Sequence, residues 1–509
     1  MADEKNPRDT AVSSDDDAAQ RELALGEIPL SELPKGRWDR SWPVIACGAG
    51  LFSDGYINGV IGGVNTMLRL IYGEAYTNNH VQSNVSSIAF AGTVLGHLVF
   101  GVLSDRWSRK NSLLISTIVL IVFSILCAGA YGAGGNIQGM FAALQAFRFL
   151  IGIGIGGEYP AGSVGAAEST GELKKGHRNR WFVLCTDAQI DLGFVVSAFV
   201  PMIVVLCTGQ DNLRTAWRIC IGLGAIPPLS LLYLRFKLKE PEQYTRHKMT
   251  SYPWKLIIKF YWFRNTVMSV IWFVYNFSAY SFGIFASSWL VFILPSDAPL
   301  WRSFGWACLT NFFWVPGAVL GAFLSDWIGA KNTLVLGVTL QGIVGFAMTA
   351  AYPHLNQPSR VGGFVVIYGI FAALGEVGPG ANIGLLSSKL ASTPIRGHFY
   401  GVAAAWGKVG AFIGTWLFPL IIDAAGGDTV KQGQYPFWVS SSLCIFSAIV
   451  AWFGLPNVGQ DMIEEEDERF KNYLLSEGYD VSSLGTTEFK VTRERTMEHG
   501  RTEHNVAVK

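Results

Sequence analysis

Charged residues are scarce in this sequence: 15% of its 509 residues are Asp, Glu, Lys or Arg, whereas 50% are hydrophobic. Soluble domains carry about 25% charged residues, so the composition indicates a membrane protein. The net charge is only +1, which provides no basic surface, and no nucleic-acid partner is expected. The seven cysteines have neither metal-binding nor redox spacing. No catalytic residue, metal ligand or cofactor is predicted, and we do not expect an enzyme.

Long apolar segments account for most of the chain. The hydrocarbon core of a bilayer is about 30 Å thick, and a helix needs about 20 apolar residues to cross it. Segments of this length recur along the whole sequence outside its two polar ends. The predicted spans are 42–66, 86–104, 112–132, 141–165, 181–207, 215–235, 265–291, 303–325, 333–352, 362–386, 399–422 and 436–456.

These spans predict an all-α membrane protein with twelve transmembrane helices in two six-helix halves. Lys and Arg are concentrated in the loops on the side of the central linker, so the positive-inside rule places the linker and both termini in the cytosol. The predicted domains are a disordered tail at 1–40, a first half at 41–236, a basic linker at 237–263, a second half at 264–456 and a tail at 457–509.

A charged motif occurs at the same place in both halves. Gly101-Val-Leu-Ser-Asp-Arg-Trp-Ser-Arg-Lys110 follows the second span, and Ala322-Phe-Leu-Ser-Asp-Trp-Ile-Gly-Ala-Lys331 follows the eighth. Charges at such helix ends can pair across the interface between halves and hold one conformation closed. The first copy resembles the signature loop of the major facilitator superfamily, with Ser108 where glycine is usual. The predicted gating residues are Gly101, Asp105, Arg106, Arg109 and Asp326.

Ionisable residues inside the spans are functional candidates, because each costs about 2.5–3.5 kcal/mol at the centre of a membrane helix. Lys408 in the eleventh span has no acid within helical reach on its own span. An ammonium group in this position suits a negatively charged substrate. The alternative is a structural ion pair with an acid on another span.

Two buried acids are candidates for proton coupling. Asp54 in the first span has no cation adjacent to it in the sequence, and a buried carboxylate of this kind takes up a proton readily. Glu158 in the fourth span is placed for the same role. The alternative is that both are buried acids that only accept hydrogen bonds.

Further polar residues are predicted to line a pathway. Asp187 and Asp191 lie one turn apart on the fifth span, and two carboxylates on one face cannot comfortably both ionise. Either one is protonated, or Arg148 or Lys408 compensates for the charge. Pro379 is expected to break the tenth span, and irregular backbone at membrane depth is tolerated beside a cavity. The predicted pathway-lining residues are Arg148, Asp191, Glu376 and Pro379.

Trp272, Asn276 and Tyr280 recur at i, i+4 and i+8 in the seventh span, which places them on one face of the helix. Their indole, amide and phenol groups can all form hydrogen bonds. This spacing is equally typical of a binding face and of core packing, and it does not choose between them.

Several segments resemble the phosphate:proton symporter group within the major facilitator superfamily. Gly152-Ile-Gly-Ile-Gly-Gly-Glu-Tyr-Pro160 resembles the fourth span of that group, with Glu where Asp is usual. Ser53-Asp54-Gly-Tyr56 resembles its first span, and Gly407-Lys408-Val-Gly-Ala411 matches its phosphate-binding lysine. Asn276 replaces an acid of the seventh span in that group. The resemblance implies that the substrate-binding residues are Lys408, Tyr280, Trp272 and Asn276.

The segments Glu376-Val-Gly-Pro-Gly-Ala-Asn-Ile-Gly-Leu-Leu-Ser-Ser-Lys389 and Ile395-Arg-Gly-His-Phe-Tyr-Gly401 resemble the fungal glycerophosphoinositol permeases. This resemblance implies uptake of a glycerophosphodiester, such as glycerophosphoinositol or glycerophosphocholine, with protons at the plasma membrane. The expected partners are a small anionic organic phosphate, protons and the lipid bilayer, and the chain is expected to act as a monomer. The alternatives are a transporter of inorganic phosphate or another organic anion, including an exporter, and a nutrient receptor that binds without transport.

Overall fold

The computed structural model describes residues 37–249, 251–293, 299–355 and 357–481. Contacts divide the chain into two units, Met1–Trp42 and Pro43–Lys509. Of the first unit only residues 37–42 are described, and they are helical; the rest of the predicted N-terminal tail, and the C-terminal tail from residue 482, lie outside the described residues. The division of 41–456 into two halves stays a prediction, because contacts place Pro43–Lys509 in one unit.

Within the described residues, twelve helices are long and apolar enough to cross a membrane, in agreement with the twelve spans predicted. Most begin or end several residues beyond the predicted apolar cores, because helical hydrogen bonding continues into the polar flanks. The spans, numbered first to twelfth, are Ser41–Tyr72, Val81–Arg106, Arg109–Ala128, Ile137–Ser169, Arg178–Thr208, Gln210–Lys237, Trp254–Phe285, Leu300–Trp327, Ala330–Leu355, Val361–Lys389, Thr393–Asp423 and Thr429–Gly454.

The seventh helix differs most from its prediction. It runs over Trp254–Ile293, so it begins at Trp254 and not near 265, and the linker predicted at 237–263 is correspondingly shorter. Pro253 precedes the first helical residue, where its missing N–H costs no hydrogen bond, and neither Gly nor Pro interrupts the following turns. The linker also contains a short helix, Glu242–His247.

Among the described residues, two spans contain a π-helical turn, at corresponding positions of the two predicted halves. These turns are Glu158–Ser163 in the fourth span and Glu376–Gly380 in the tenth. The expectation that Pro379 breaks the tenth span is therefore wrong, because the wider turn absorbs the missing proline N–H and the helix continues to Lys389. Such turns are frequent at functional sites.

Glycines allow neighbouring spans to pack with their backbones in contact. A side chain at Gly410 or Gly414 of the eleventh span would meet the carbonyl oxygens of Phe273 or Phe277 in the seventh. Small residues at helix interfaces are typical of membrane proteins, where close packing replaces the hydrophobic effect. This contact brings Lys408 and the face of the seventh span close together.

A helix at Met462–Ser476 follows the twelfth span, in the segment predicted as a polar tail. Its residues Phe470 and Leu474 are buried. Asp467 accepts hydrogen bonds from the Ser392 hydroxyl and the Thr393 N–H at 2.7 and 2.6 Å. The end of the spans that carries this C-terminal helix and the linker is called the linker face below.

Candidate transport site

A cavity of about 70 Å³ lies among the spans, with room for a few water molecules. Spans from both predicted halves contribute its walls, which combine aromatic rings with carboxyl groups. A solute larger than a few waters therefore requires the surrounding spans to move apart. Among the residues that line the cavity are Tyr159, Ser163, Asp187, Asp191, Trp272, Tyr275, Asn276, Tyr280, Trp314, Glu376 and Gly380.

The polar stripe of the seventh span lines this cavity. Trp272, Asn276 and Tyr280 are all at its wall, and each is at most 7% exposed. A side chain at Gly407 would collide with the Trp272 indole, so this glycine lets the ring pack against the eleventh span. The stripe is thus core-packed and cavity-lining at once, which spacing alone cannot reveal.

Lys408 forms a buried cluster directly behind this wall. Its ammonium lies 3.0 Å from Asp54 Oδ2 and also donates to the Tyr280 hydroxyl. The Tyr159 and Tyr280 hydroxyls both donate to the same carboxylate oxygen of Asp54, and Asn58 donates to the other. We call Lys408, Asp54, Tyr159 and Tyr280 the Lys408 cluster.

The Lys408 cluster contains the ion pair with an acid on another span that the sequence left open as the alternative for Lys408. Asp54, which has no cation adjacent in the sequence, receives one from the eleventh span. Lys408 is only 1% exposed, and its contact with the cavity runs through Tyr159 and Tyr280, which are wall residues. A buried pair of this kind is stabilised by its additional hydrogen bonds.

Glu158 has a counter-charge as well. Its carboxylate accepts hydrogen bonds from Arg235 at 2.5 and 2.6 Å and from Ser116 at 2.8 Å. Arg235 lies at the end of the sixth span, where sequence reasoning takes an arginine to be at the membrane surface, yet it is 1% exposed. Arg148, predicted to line the pathway, donates instead to the Val85 carbonyl at 2.7 Å and lies outside the cavity wall.

Three acids form a second cluster at the cavity. Carboxylate oxygens of Asp187, Asp191 and Glu376 lie within 4.8 Å of one another, and Tyr275 donates to Glu376 at 2.6 Å. Within residues 37–249, 251–293, 299–355 and 357–481, neither Arg148 nor Lys408 forms an ion pair with them, since Arg148 donates to Val85 and Lys408 pairs with Asp54. We call Asp187, Asp191 and Glu376 the acid cluster.

On the linker face, the motif residue Asp105 connects the second span with the eleventh, and so joins the two predicted halves. It accepts the backbone N–H groups of Gly397 and His398 at 2.9 and 2.7 Å. Arg109 pairs with Asp105 at 2.5 Å and with Glu168 at 3.0 Å. A side chain at Gly101 would meet the Gly397 carbonyl, so the helices touch there.

Further contacts close the linker face. Glu168 also pairs with Arg396 at 2.9 Å, and the second-copy residue Asp326 pairs with Arg180 at 3.1 Å. Arg106 lies over the Tyr252 ring at 5.2 Å, a cation–π distance. Sequence reasoning missed Glu168 and Arg396, because both lie at the edges of predicted spans, where a charge is unremarkable.

The C-terminal helix carries charges of its own at this face. Glu466 pairs with Arg264 at 2.8 Å, but burial outweighs this pairing and raises the pKa of Glu466 above its ordinary value. Just before the helix, Asp461 pairs with Lys175 at 3.0 Å and Arg178 at 2.7 Å. The hydrogen bond from Lys175 lowers the pKa of Asp461.

Twelve spans around a polar cavity, with interlocked charges on one face, define a membrane transporter of the major facilitator type. The chain belongs to the family described as "Sugar (and other) transporter", which it matches over residues 42–251 and 253–470. Its relatives and structural neighbours are transporters, so the predictions of this superfamily, of the fold and of transport instead of catalysis are confirmed.

Two curated relatives come from Candida albicans. The chain is 50% identical to Glycerophosphodiester transporter GIT2, over 90% of this chain and 86% of the relative. It is 48% identical to Glycerophosphocholine permease GIT4, over 87% and 84%. A structure of the proton:xylose symporter XylE matches with a TM-score of 0.70 at 16% identity, over 84% of this chain and 98% of that one. That likeness concerns the fold alone.

Proposed function

We propose that this chain imports glycerophosphodiesters together with protons, by alternating access across the plasma membrane, with both termini in the cytosol. The observation that carries the proposal is the Lys408 cluster: a buried ammonium and a buried carboxylate, held together by two tyrosines of the cavity wall. The names of the relatives support the substrate class.

The pairing of Lys408 with Asp54 suggests how protons and substrate are coupled. The ammonium cannot serve Asp54 and a phosphodiester fully at the same time. A proton on Asp54 weakens its hold on Lys408, and the ammonium then becomes available to the phosphate oxygens. Return of the pair after release resets the empty carrier. Tyr280 contacts both partners and is positioned to follow the ammonium.

Alternation between two conformations rests on the linker face. In the structure, Asp105 and Glu168 link the halves through the N–H groups of Gly397 and His398 and through Arg396. We assign Gly101, Arg106, Arg109 and Asp326 to the same closure. Substrate release on the cytosolic side requires these contacts to break, and they are satisfied again when the site faces outward.

The experiment is uptake into proteoliposomes with an imposed pH gradient, acid outside. We expect accumulation of glycerophosphoinositol or glycerophosphocholine that collapses when a protonophore is added. Excess unlabelled phosphodiester should compete, and inorganic phosphate should compete at least tenfold less well. Preference for inorganic phosphate, accumulation that ignores the gradient, or binding without flux would each refute the proposal; the last would indicate a receptor.

A further inference from the structure

The acid cluster is not used in the coupling described above. Asp191 and Glu376 are buried and Asp187 is half-buried. Asp187 and Asp191 lie on the fifth span and Glu376 on the tenth, in opposite predicted halves. Three carboxylates so close together repel one another if ionised. The cluster therefore requires positive charge, from protons or from a bound cation.

The backbone is built around these carboxylates. The π-helical turn Glu376–Gly380 sets the register of the tenth span at Glu376, and a side chain at Gly380 would collide with the Glu376 carboxylate. Tyr275 donates to Glu376 at 2.6 Å, which holds the carboxyl group at the cavity wall.

An independent polar group at the same wall also lacks a partner. The Trp314 indole N–H forms no hydrogen bond within the described residues, although Trp314 is only 5% exposed. Oδ2 atoms of Asp187 and Asp191 are likewise buried and unpartnered. Buried polar groups are rarely left unsatisfied, so this wall is suited to a ligand that supplies polar and charged groups.

The cavity is consequently bipolar. Along the seventh span, Tyr280 contacts the Lys408 cluster and Tyr275 contacts the acid cluster. Five residues of helix separate them, a rise of about 7.5 Å. A small zwitterion that carries a phosphate and an ammonium matches this polarity. Trp272 and Trp314 line the same cavity, and tryptophan is the best ring for binding a quaternary ammonium.

We infer that the acid cluster recognises the ammonium of a zwitterionic glycerophosphodiester, with choline as the head group, while the Lys408 cluster receives its phosphate. A head group that offers only hydroxyls supplies hydrogen bonds but leaves the charge of three acids uncompensated. Because Asp191 and Glu376 belong to opposite halves, an ammonium between them also removes a repulsion that opposes closure around the substrate. This inference rests on the proposed function and specifies its substrate.

The test compares the KM values for glycerophosphocholine and glycerophosphoinositol in proteoliposomes, for the intact chain and for Glu376→Gln and Asp191→Asn. Asp423→Asn is the matched control, because this acid is exposed and outside the cavity wall. We expect the KM for glycerophosphocholine to rise at least tenfold in both variants and that for glycerophosphoinositol to change less than threefold. The control should change neither.

Trp314→Phe is a second variant in case the acid variants fold poorly. It replaces the indole by a phenyl ring, which attracts a quaternary ammonium less strongly, and it should raise the KM for glycerophosphocholine at least threefold, without the same effect on glycerophosphoinositol. Equal losses for both solutes, unchanged KM values, or a sodium requirement lost in Glu376→Gln would each overturn the inference. If the intact chain transports glycerophosphoinositol but not glycerophosphocholine, the inference fails and the proposed function stands. If it transports neither, both fail.

Discussion

Lys408 Nζ lies 3.0 Å from Asp54 Oδ2, although the two residues are 354 positions apart in the sequence. One belongs to the eleventh span and the other to the first, so this ion pair joins the two predicted halves. Both side chains are essentially buried. A buried pair costs desolvation free energy that its attraction only partly returns, so a role in transport is a better reason for its presence than stability.

Lys408→Ala should reduce uptake at least a hundredfold, because it removes the group that we assign to the phosphate. The variant also leaves Asp54 uncompensated, which costs about 3–5 kcal/mol of stability. The double variant Asp54→Asn/Lys408→Met removes both charges and should recover the thermal stability in detergent but not the uptake. Normal uptake by either variant that reaches the membrane would contradict the substrate role.

Glu158→Gln should lower the free energy of unfolding by about 3–5 kcal/mol, because Arg235 loses its buried counter-charge. Thermal unfolding in detergent measures this loss, and Glu158→Gln/Arg235→Met should restore most of the stability. If Glu158 also carries protons, the double variant will fold but transport without dependence on the pH gradient. Full gradient dependence in that variant would restrict proton coupling to Asp54.

Asp105→Ala should loosen the linker face. It leaves the N–H groups of Gly397 and His398 without their acceptor, and each unsatisfied buried donor costs about 1–3 kcal/mol. Amide hydrogen exchange of the segment 396–401 should become faster, and uptake should fall about tenfold. Asp423→Asn provides the control at an exposed position. Unchanged exchange would show that the carboxylate does not hold this face closed.

Gly410→Ala should destabilise the protein by about 1–3 kcal/mol, the range of overpacked cores. The added methyl group meets the Phe273 carbonyl, so the seventh and eleventh spans must separate. Gly363→Ala is the matched control, since open space surrounds that exposed helical position, and it should stabilise by up to about 1 kcal/mol. Equal melting temperatures for the two variants would contradict the close packing described.

Docking of the C-terminal helix should weaken as the pH rises. Burial raises the pKa of Glu466 above 4.5, so the docked state binds this proton more tightly than the undocked state. The contribution of Glu466 to the stability of the docked helix is complete below pH 4.5, and it is lost as the pH rises through the higher pKa of the docked state. The pH dependence of docking is measured by hydrogen exchange of Met462–Ser476 at increasing pH, after correction for the intrinsic exchange rates. Glu466→Gln should flatten the profile, and protection that increases with pH in the intact chain would contradict this sign.

Much of the fold follows from local properties of the sequence. Apolar length alone located all twelve spans, since each helix satisfies its own backbone hydrogen bonds and needs no partner to be recognised. The exceptions have local causes. Pro379 lies in a π-helical turn and does not break the tenth span. The seventh helix begins at Trp254, and apolar length did not predict this start because the first turns of the helix are polar.

The sequence by itself determined the membrane class, the number of spans, the motif loops and the resemblance to a transporter family, because these depend on composition and on residues close together in the chain. Only the tertiary structure decided which charges meet: Lys408 with Asp54, Glu158 with Arg235, and Asp187 and Asp191 with Glu376. Those pairings join distant helices, and the face that each helix turns to its neighbours is set by close packing of glycines and side chains. No local pattern encodes that packing.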